Sequence, residues 1–501
     1  MGDLGVNGEA IAMSTPRPLR RGVPHGAGHA APLRRIASNF VVLCVAEVVC
    51  RGVSVIATLA LTQRLKPAGY GRVEFAFNVV FWLVLIVRDC FETIVTREVA
   101  RHPRITRSLV NHVLAVKLAL ATVLYVALVG AGFRMLSDRA DAGLFALYGL
   151  LLFTTALGID FVFRGTERMG LIALSLCMRT AIYCTGVFVW VREPSQIVRV
   201  PLWLVAGEAM GIALVWAVYA WEQGLPRPAF GARFLAVMYR RGRSVALIQF
   251  CQAVLVTADL MVVGLCTSWA DVGRYYAPHR IVSALMAFGL IFQQVILPTL
   301  SRRWRRSGES GQQLLDVAVR VLMMAFLPVA VGGTVLAGPI MKFLLPSEYH
   351  SMAVLLAIGI WRAPLLSLAF LYQTALIAMN RETAGLRLLV GGAVASSPCI
   401  ALSYYRFGMP GASCAVLALG LVLVAAGYSC LAREGRAPAV HHHIAKPLLA
   451  SLAMVPFCLW LKDVNVPAAV AIGAVIYTAV LAMVGGFRDL NWLNHGRAAR
   501  V

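Results

Sequence analysis

Apolar stretches of about twenty residues, each long enough to carry a helix across the hydrocarbon of a bilayer, recur along the whole of this chain. They lie near 39–61, 73–95, 113–133, 142–163, 171–191, 201–221, 244–266, 281–300, 318–339, 352–378, 386–404, 411–431, 447–461 and 467–487. In lipid every backbone N–H and C=O must be bonded within its own segment or a closed barrel, and uninterrupted runs of this length select helices. The expected fold is all-α, a polytopic membrane protein with about fourteen transmembrane helices.

Composition agrees with that reading. Of 501 residues 59% are hydrophobic and only 14% charged, against roughly 25% charged in a soluble domain, and the mean hydropathy is +0.76. The formal charge of +23 could suggest nucleic acid, but cytoplasmic loops of membrane proteins accumulate Lys and Arg, so no nucleic-acid partner is expected. The eleven cysteines all fall in or at the ends of apolar stretches, with no CxxC pair. They read as packing residues, neither a disulfide framework nor a metal site, and no cofactor is implied.

Loop charge gives an independent check on the spans. The N-terminal tail carries Arg17, Arg20, Arg21, Arg34 and Arg35, and further basic loops hold Arg97 to Arg107, Arg227 to Arg243 and Arg302 to Arg306. Poorer loops hold Arg134 and Arg139, Arg192 and Arg199, and Arg274 and Arg280. This alternation puts both termini in the cytoplasm of a multi-pass protein of the cell (inner or plasma) membrane. Residues 1–35 lack the apolar core of a signal peptide and read as a disordered basic tail.

An internal repeat emerges when Ala68-Gly-Tyr-Gly71-Arg72 is laid over Ala270-Asp-Val-Gly273-Arg274. At the same offset Arg101 falls on Arg303, Glu47 on Gln249 and Glu92 on Gln294. Each copy is a span, a short turn with Gly-Arg, a second span and a basic loop, in the same orientation. The expected organisation is therefore a first lobe over 36–221, a basic linker over 222–243, a second pseudo-symmetric six-helix lobe over 244–432, and an additional helix pair with the C-terminus over 433–501.

Leu65-Lys-Pro-Ala-Gly-Tyr-Gly71 followed by Val95-Thr-Arg-Glu-Val-Ala-Arg101 resembles the N-terminal half of Wzx/RfbX-type polysaccharide flippases. These belong to the multidrug/oligosaccharidyl-lipid/polysaccharide exporter superfamily. The second half agrees, with Asp259-Leu-Met-Val-Val-Gly264, Val272-Gly-Arg-Tyr-Tyr-Ala277, Leu297-Pro-Thr-Leu-Ser301, Phe343-Leu-Leu-Pro-Ser-Glu-Tyr349 and Gly408-Met-Pro-Gly-Ala412. The resemblance covers roughly 39–434, and its strength is the order and spacing of several weak motifs. It implies a two-lobed transporter that moves an undecaprenyl-linked sugar chain between leaflets, with membrane lipids, polysaccharide polymerase and export proteins as partners.

The residues that could do this are the charges inside the first two spans, each costing roughly 2.5 to 3.5 kcal/mol at the membrane centre. Glu47, Arg51, Ser54 and Thr58 share one helical face. Arg51 is placed to attract phosphates of a lipid-linked sugar; alternatively Glu47 and Arg51 neutralise each other one turn apart. Arg88 and Glu92 repeat this spacing with Asp89 beside them, and snorkelling to the membrane surface competes with a cavity role.

The second lobe replaces the acids with amides. Gln249, Gln252 and Gln294 suit sugar hydroxyls, because amides donate and accept at once, and Arg280 joins them as a cavity candidate. Asp259 shares a face with Gln249 and Gln252 and is the ion-coupling candidate, for a proton or a sodium ion; helix-packing is its alternative. Asp160 and Glu208 read as structural acids. Arg362, near Pro364, has two readings: it faces the second lobe's interior beside a kink that a rocking lobe uses, or, the slightly preferred one, it snorkels beside a static bend. His441, His442 and His443 read as solvated loop residues.

No GxxxxGK[ST] loop is present, which argues against direct ATP hydrolysis, and no catalytic His/Asp pair stands out in the spans. The expectation is a transporter working by alternating access. The alternatives are a lipid II flippase, a multidrug exporter, or a membrane-embedded polysaccharide-modifying enzyme. Drug exporters of this type bind cations, which Arg51 and Arg88 would repel.

Overall fold

A computed structural model of the chain describes residues 30–89, 92–135, 138–227, 229–462 and 465–486. Among them the regular structure is helical. The first lobe is built from α1 (Ala30–Asp89), α2 (Glu92–Arg101), α3 (Thr106–Met135), α4 (Arg139–Leu157), α5 (Asp160–Gly165), α6 (Met169–Trp190) and α7 (Arg199–Gln223). The second comprises α8 (Ala232–Cys266), α9 (Trp269–Arg306), α10 (Gly308–Val335), α11 (Ala337–Leu344), α12 (Ala353–Gly359), α13 (Arg362–Ala378) and α14 (Glu382–Arg433). A final pair, α15 (Val440–Leu461) and α16 (Val466–Met483), packs on itself and on α10.

Twelve helical segments among the described residues are long and apolar enough to cross a membrane, where sequence led us to expect about fourteen. The difference lies in α1 and α14. With 60 and 52 residues at about 1.5 Å per residue, each far exceeds the roughly 30 Å hydrocarbon core. Each is two helices meeting at a kink: Lys66, with φ 56°, precedes Pro67 in α1, and Gly408, with φ 65°, precedes Pro410 in α14. A left-handed residue reverses the path, and a proline with its preset φ restarts the helix behind it.

Three boundaries differ from expectation. Helix α1 begins at Ala30, so the tail expected over 1–35 ends earlier, and its residues 1–29 lie outside the described ones. The linker expected over 222–243 is irregular only between Gln223 and Ala232; basic residues tolerate helix well, and α8 extends back through Arg233 to Arg243. Of the three histidines expected in a solvated loop, His443 is buried in α15. Its Nε2 lies 3.2 Å from Asp316 Oδ1 on α10, and its Nδ1 accepts from Arg320 Nε at 3.3 Å. The side chains of His441 and His442 lie outside the described set.

The repeat is written into the packing. Gly71 and Gly273, matched by the sequence offset, lie back to back where α1 crosses α9. A Cβ on Gly71 would overlap the Trp269 carbonyl, and one on Gly273 the Pro67 carbonyl. Only two glycines let the backbones approach this closely. Side-chain contacts among the described residues join the lobes, including three polar or ionic ones. Trp82 Nε1 donates to Thr257 Oγ1 at 2.8 Å, Tyr349 OH donates to the Thr62 carbonyl at 3.3 Å, and Arg280 lies 4.0 Å from Glu74. The largest core cluster spans both lobes here, with Tyr70, Phe75, Val272 and Tyr275 among its members. A separate core, built on Val95, Val110, Phe161 and Tyr219, belongs to the first lobe and lies toward its basic loops.

Candidate functional site: charge clusters within the two lobes

In the first lobe six helices bring charges together. Arg88, at the end of α1, donates from Nε to Asp89 Oδ1 at 2.8 Å and lies 4.0 Å from Glu92 on α2. Arg164 of α5 reaches the other oxygen of Glu92 at 3.3 Å. Arg179, in the middle of α6, is held between Glu208 of α7 at 3.0 Å and Asp160 of α5 at 3.3 Å. Its Nε donates to Ser175 Oγ at 3.1 Å. Lys117 of α3 is buried within electrostatic reach of Glu92 and Asp160. Four cations thus meet four carboxylates.

The local sequence explains how Arg179 is placed. Gly207 and Gly211, one turn apart on α7, leave a groove in which the Arg179 side chain lies; a Cβ on Gly211 would overlap its stem. Small residues at this spacing let two membrane helices approach closely. The stem is fixed before the guanidinium meets its carboxylates.

Glu47 and Arg51 form their own pair at 3.9 Å. Ser54 and Thr58, on the same stripe, turn their hydroxyls back onto carbonyls one turn earlier. Three pairs share an asymmetry that Arg179, less exposed than Asp160 and Glu208, does not. Arg51 is 52% exposed against 30% for Glu47, Arg88 42% against 6% for Asp89, and Arg164 43% against 15% for Glu92. In each pair the guanidinium stands forward and the carboxylate behind it, so a neutral cluster presents positive charge.

The second lobe's candidates are not gathered in this way. Gln252 donates to Gln373 Oε1 on α13 at 2.7 Å, Gln249 is half-buried, and Gln294 is exposed while its neighbour Gln293 is buried. Arg280 turns instead to Glu74 of the first lobe.

Asp259 is fully buried and carries an ion pair. Arg362 Nη2 donates to its Oδ2, Tyr275 OH donates to the same oxygen at 2.6 Å, and Ser413 lies 3.1 Å from that hydroxyl. Arg362 Nη1 donates to His279 Nδ1 at 2.9 Å. The expectation that Arg362 snorkels is therefore wrong: it is 2% exposed. The reason is its partner, since an arginine beside a buried carboxylate gains more than one stretched toward a headgroup. Pro364 falls in the first turn of α13, where a proline is tolerated, and the path bends before it at Ile360 and Trp361.

Sequence reasoning overlooked Arg179, Lys117 and Glu74. Each is an ionisable residue within a span, and applying the intramembrane-charge rule evenly would have flagged all three. Among the described residues no group of three or more His, Cys, Asp or Glu could hold a metal.

Comparison with known proteins places the fold. The fold is similar to that of the lipid II flippase MurJ in an inward closed conformation, with a TM-score of 0.72, 14% identity, and 90% of this chain and 99% of that one covered. It is also similar to a MATE family multidrug transporter of the MOP superfamily in its inward-facing conformation, with a TM-score of 0.58, 13% identity, and 80% and 96% covered. A MOP superfamily transporter from Pyrococcus furiosus, described as having a binding pocket of reversed polarity, matches with a TM-score of 0.53, 11% identity, and 80% and 96% covered. At these identities the likeness is one of fold. No curated protein matches by sequence. The family model described as "Polysaccharide biosynthesis protein" matches residues 36–304, more than half of the chain. On that match, and on a fold shared with flippases and exporters of the MOP superfamily, this multi-pass membrane transporter belongs to the polysaccharide biosynthesis protein family.

Proposed function

We propose that the chain moves a polyprenyl-diphosphate-linked oligosaccharide from the cytoplasmic to the outer leaflet of the cell membrane, by alternating access, for assembly of a surface polysaccharide such as exopolysaccharide, O-antigen or capsule. In this reading α1 and α14 each cross twice, giving fourteen crossings with both termini in the cytoplasm. The lobes rock about the Gly71–Gly273 crossing. The diphosphate lies against the first lobe and the sugars against the amides of the second, including Gln249 and Gln294. Polysaccharide polymerase and export proteins act downstream.

The observation that carries this reading is the forward placement of Arg51, Arg88 and Arg164 over recessed carboxylates. Guanidinium groups bind phosphate oxygens in pairs, and the acids behind them offset the cost of holding the cations in an apolar surround while no cargo is bound. The same placement disfavours cationic drugs. Asp259 remains the candidate for ion coupling, on the condition that Arg362 first leaves it.

Complementation of a flippase-deficient strain tests the proposal. Arg51→Ala and Arg88→Ala should each abolish surface polysaccharide while the protein still reaches the membrane; normal export in both would sink it. Translocation of lipid II in vesicles, with no effect on polysaccharide, would move the cargo to the cell-wall precursor instead.

A further inference from the structure

The buried cluster in the second lobe has geometry that a static strut does not need. Three of its polar atoms, Asp259 Oδ1, Arg362 Nε and His279 Nε2, have no protein hydrogen-bond partner. Tyr275, His279, Arg362 and Ser413 line a cavity of about 10 Å³ together with Leu355 and Val282. That is about the room one water needs, and polar atoms are there to hold it. The cluster therefore has internal space and spare hydrogen-bonding capacity.

The tautomer of His279 follows from its partner. An arginine N–H can only donate, so Nδ1, which receives Arg362 Nη1 at 2.9 Å, carries no proton. His279 is neutral in this state. A proton placed on Nδ1 would turn an acceptor into a donor facing a donor and set two cations against each other in a buried site. An acceptor for the new N–H is at hand in Asp259 Oδ2, 3.8 Å away, which Arg362 now occupies.

We propose that the second lobe holds a proton-binding site at His279, in which a proton on Nδ1 and the Arg362–Asp259 ion pair exclude one another. The step is a simple protonation: one proton from water adds to Nδ1, the imidazolium takes Asp259, and Arg362 is released toward the cavity. Arg362 fills the place beside Asp259 that a metal cation would need, so the ligand is a proton and not sodium. The charged and titratable groups around His279 are Asp259 on α8, Tyr275 and Arg280 on its own helix, and Arg362 on α13. Helix α12 contributes Leu355 and Gly359, and α14 contributes Ser413. Glu74 of α1 faces Arg280.

That last contact ties the site to movement. Arg280 is the next residue to His279 and makes an ion pair across the lobe boundary, about two turns of α9 from the Gly71–Gly273 crossing. Shifting His279 toward Asp259 pulls on the helix that closes the lobes. The inference rests on the alternating-access part of the proposed function. Its test uses no cargo, so a wrong cargo assignment would leave it standing.

The test is electron–electron distance measurement on the full chain in lipid nanodiscs. Nitroxides replace Glu193 in the first lobe and Lys342 in the second, both exposed, in a background with native cysteines substituted. Wild type should change its distance distribution between about pH 8 and about pH 4, a window wide enough to carry this histidine from neutral to protonated. His279→Gln keeps an acceptor for Arg362 but cannot be protonated, and should hold the high-pH distribution throughout. His443→Gln, which removes the buried histidine beside Asp316, should respond as wild type does. An unchanged wild type, or a His279→Gln variant that still responds, would overturn the proposal. Histidine-selective nitrogen NMR on wild type gives a second reading that does not depend on the variant folding. The signature of an unprotonated Nδ1 at His279 should disappear on acidification, and its persistence at about pH 4 and below would also overturn the proposal.

Discussion

The two lobes put buried charge to opposite uses. In the first, acids and bases meet across six helices, and Arg51, Arg88 and Arg164 stand forward of their carboxylates. In the second, one ion pair between Asp259 and Arg362 is closed off by Tyr275, His279 and Ser413. The duplicated positions make the contrast sharper. Glu47 and Glu92 align with Gln249 and Gln294, while Asp259 aligns with Ala57, which is fully buried in the first lobe. The matched halves thus carry an accessible set of paired charges in one and a sealed pair in the other.

If this contrast is right, the most damaging change is in the closed cluster. Arg362→Ala leaves Asp259 charged, buried and alone, and breaking such a pair typically costs about 3 to 5 kcal/mol. Thermal unfolding in detergent should show a strongly lowered midpoint, and the double variant Asp259→Asn with Arg362→Gln should regain much of it. If the single variant unfolds like wild type, the pair is not holding the second lobe together.

Next in size are the first-lobe cations. Arg179→Gln should cut polysaccharide export at least tenfold and lower stability less than Arg362→Ala does, because Glu208 and Asp160 retain partial exposure. Equal destabilisation by the two variants would erase the distinction between an exchangeable surface and a sealed core.

Gly273→Val probes the boundary between the lobes. The added carbons would overlap the Pro67 carbonyl and should prevent closure at that crossing while leaving each lobe folded. Cysteines replacing Trp82 and Thr257, whose side chains touch at 2.8 Å, should be bridged readily by a short bifunctional thiol cross-linker in the parent and poorly in the variant.

The smallest effect belongs to Arg381 and Glu434, paired at 3.1 Å but open to solvent. Removing both charges should change stability by less than about 1 kcal/mol, showing that position in the fold, not charge as such, sets the size of the others.

Much of this architecture is legible in the sequence because membranes impose simple rules. Span length follows from bilayer thickness, and the Gly-Arg turns at Gly71 and Gly273 marked a repeat whose glycines prove to be the point where the lobes cross. The charges at Arg88, Asp89 and Glu92 announced a cluster because a lone intramembrane charge is so costly. What sequence did not yield was the pairing. Asp259 and Arg362 are far apart along the chain, and nothing local says that one answers the other. The same holds for Arg179 with Glu208 and for His443 with Asp316, each joined by helix rotation and packing. Kinks also escape notice: Lys66 has an ordinary side chain for a turn, and its left-handed backbone is set by the reversal it must make before Pro67.

Binding of a short polyprenyl diphosphate, such as farnesyl diphosphate, to the purified full chain in nanodiscs tests the central claim most directly. The account predicts that wild type binds, that Arg51→Ala and Arg88→Ala each weaken binding at least tenfold, and that Gln249→Ala and Gln294→Ala leave it unchanged. Equal losses on both sides, or binding that survives removal of both arginines, would contradict the assignment of the phosphate end to the first lobe.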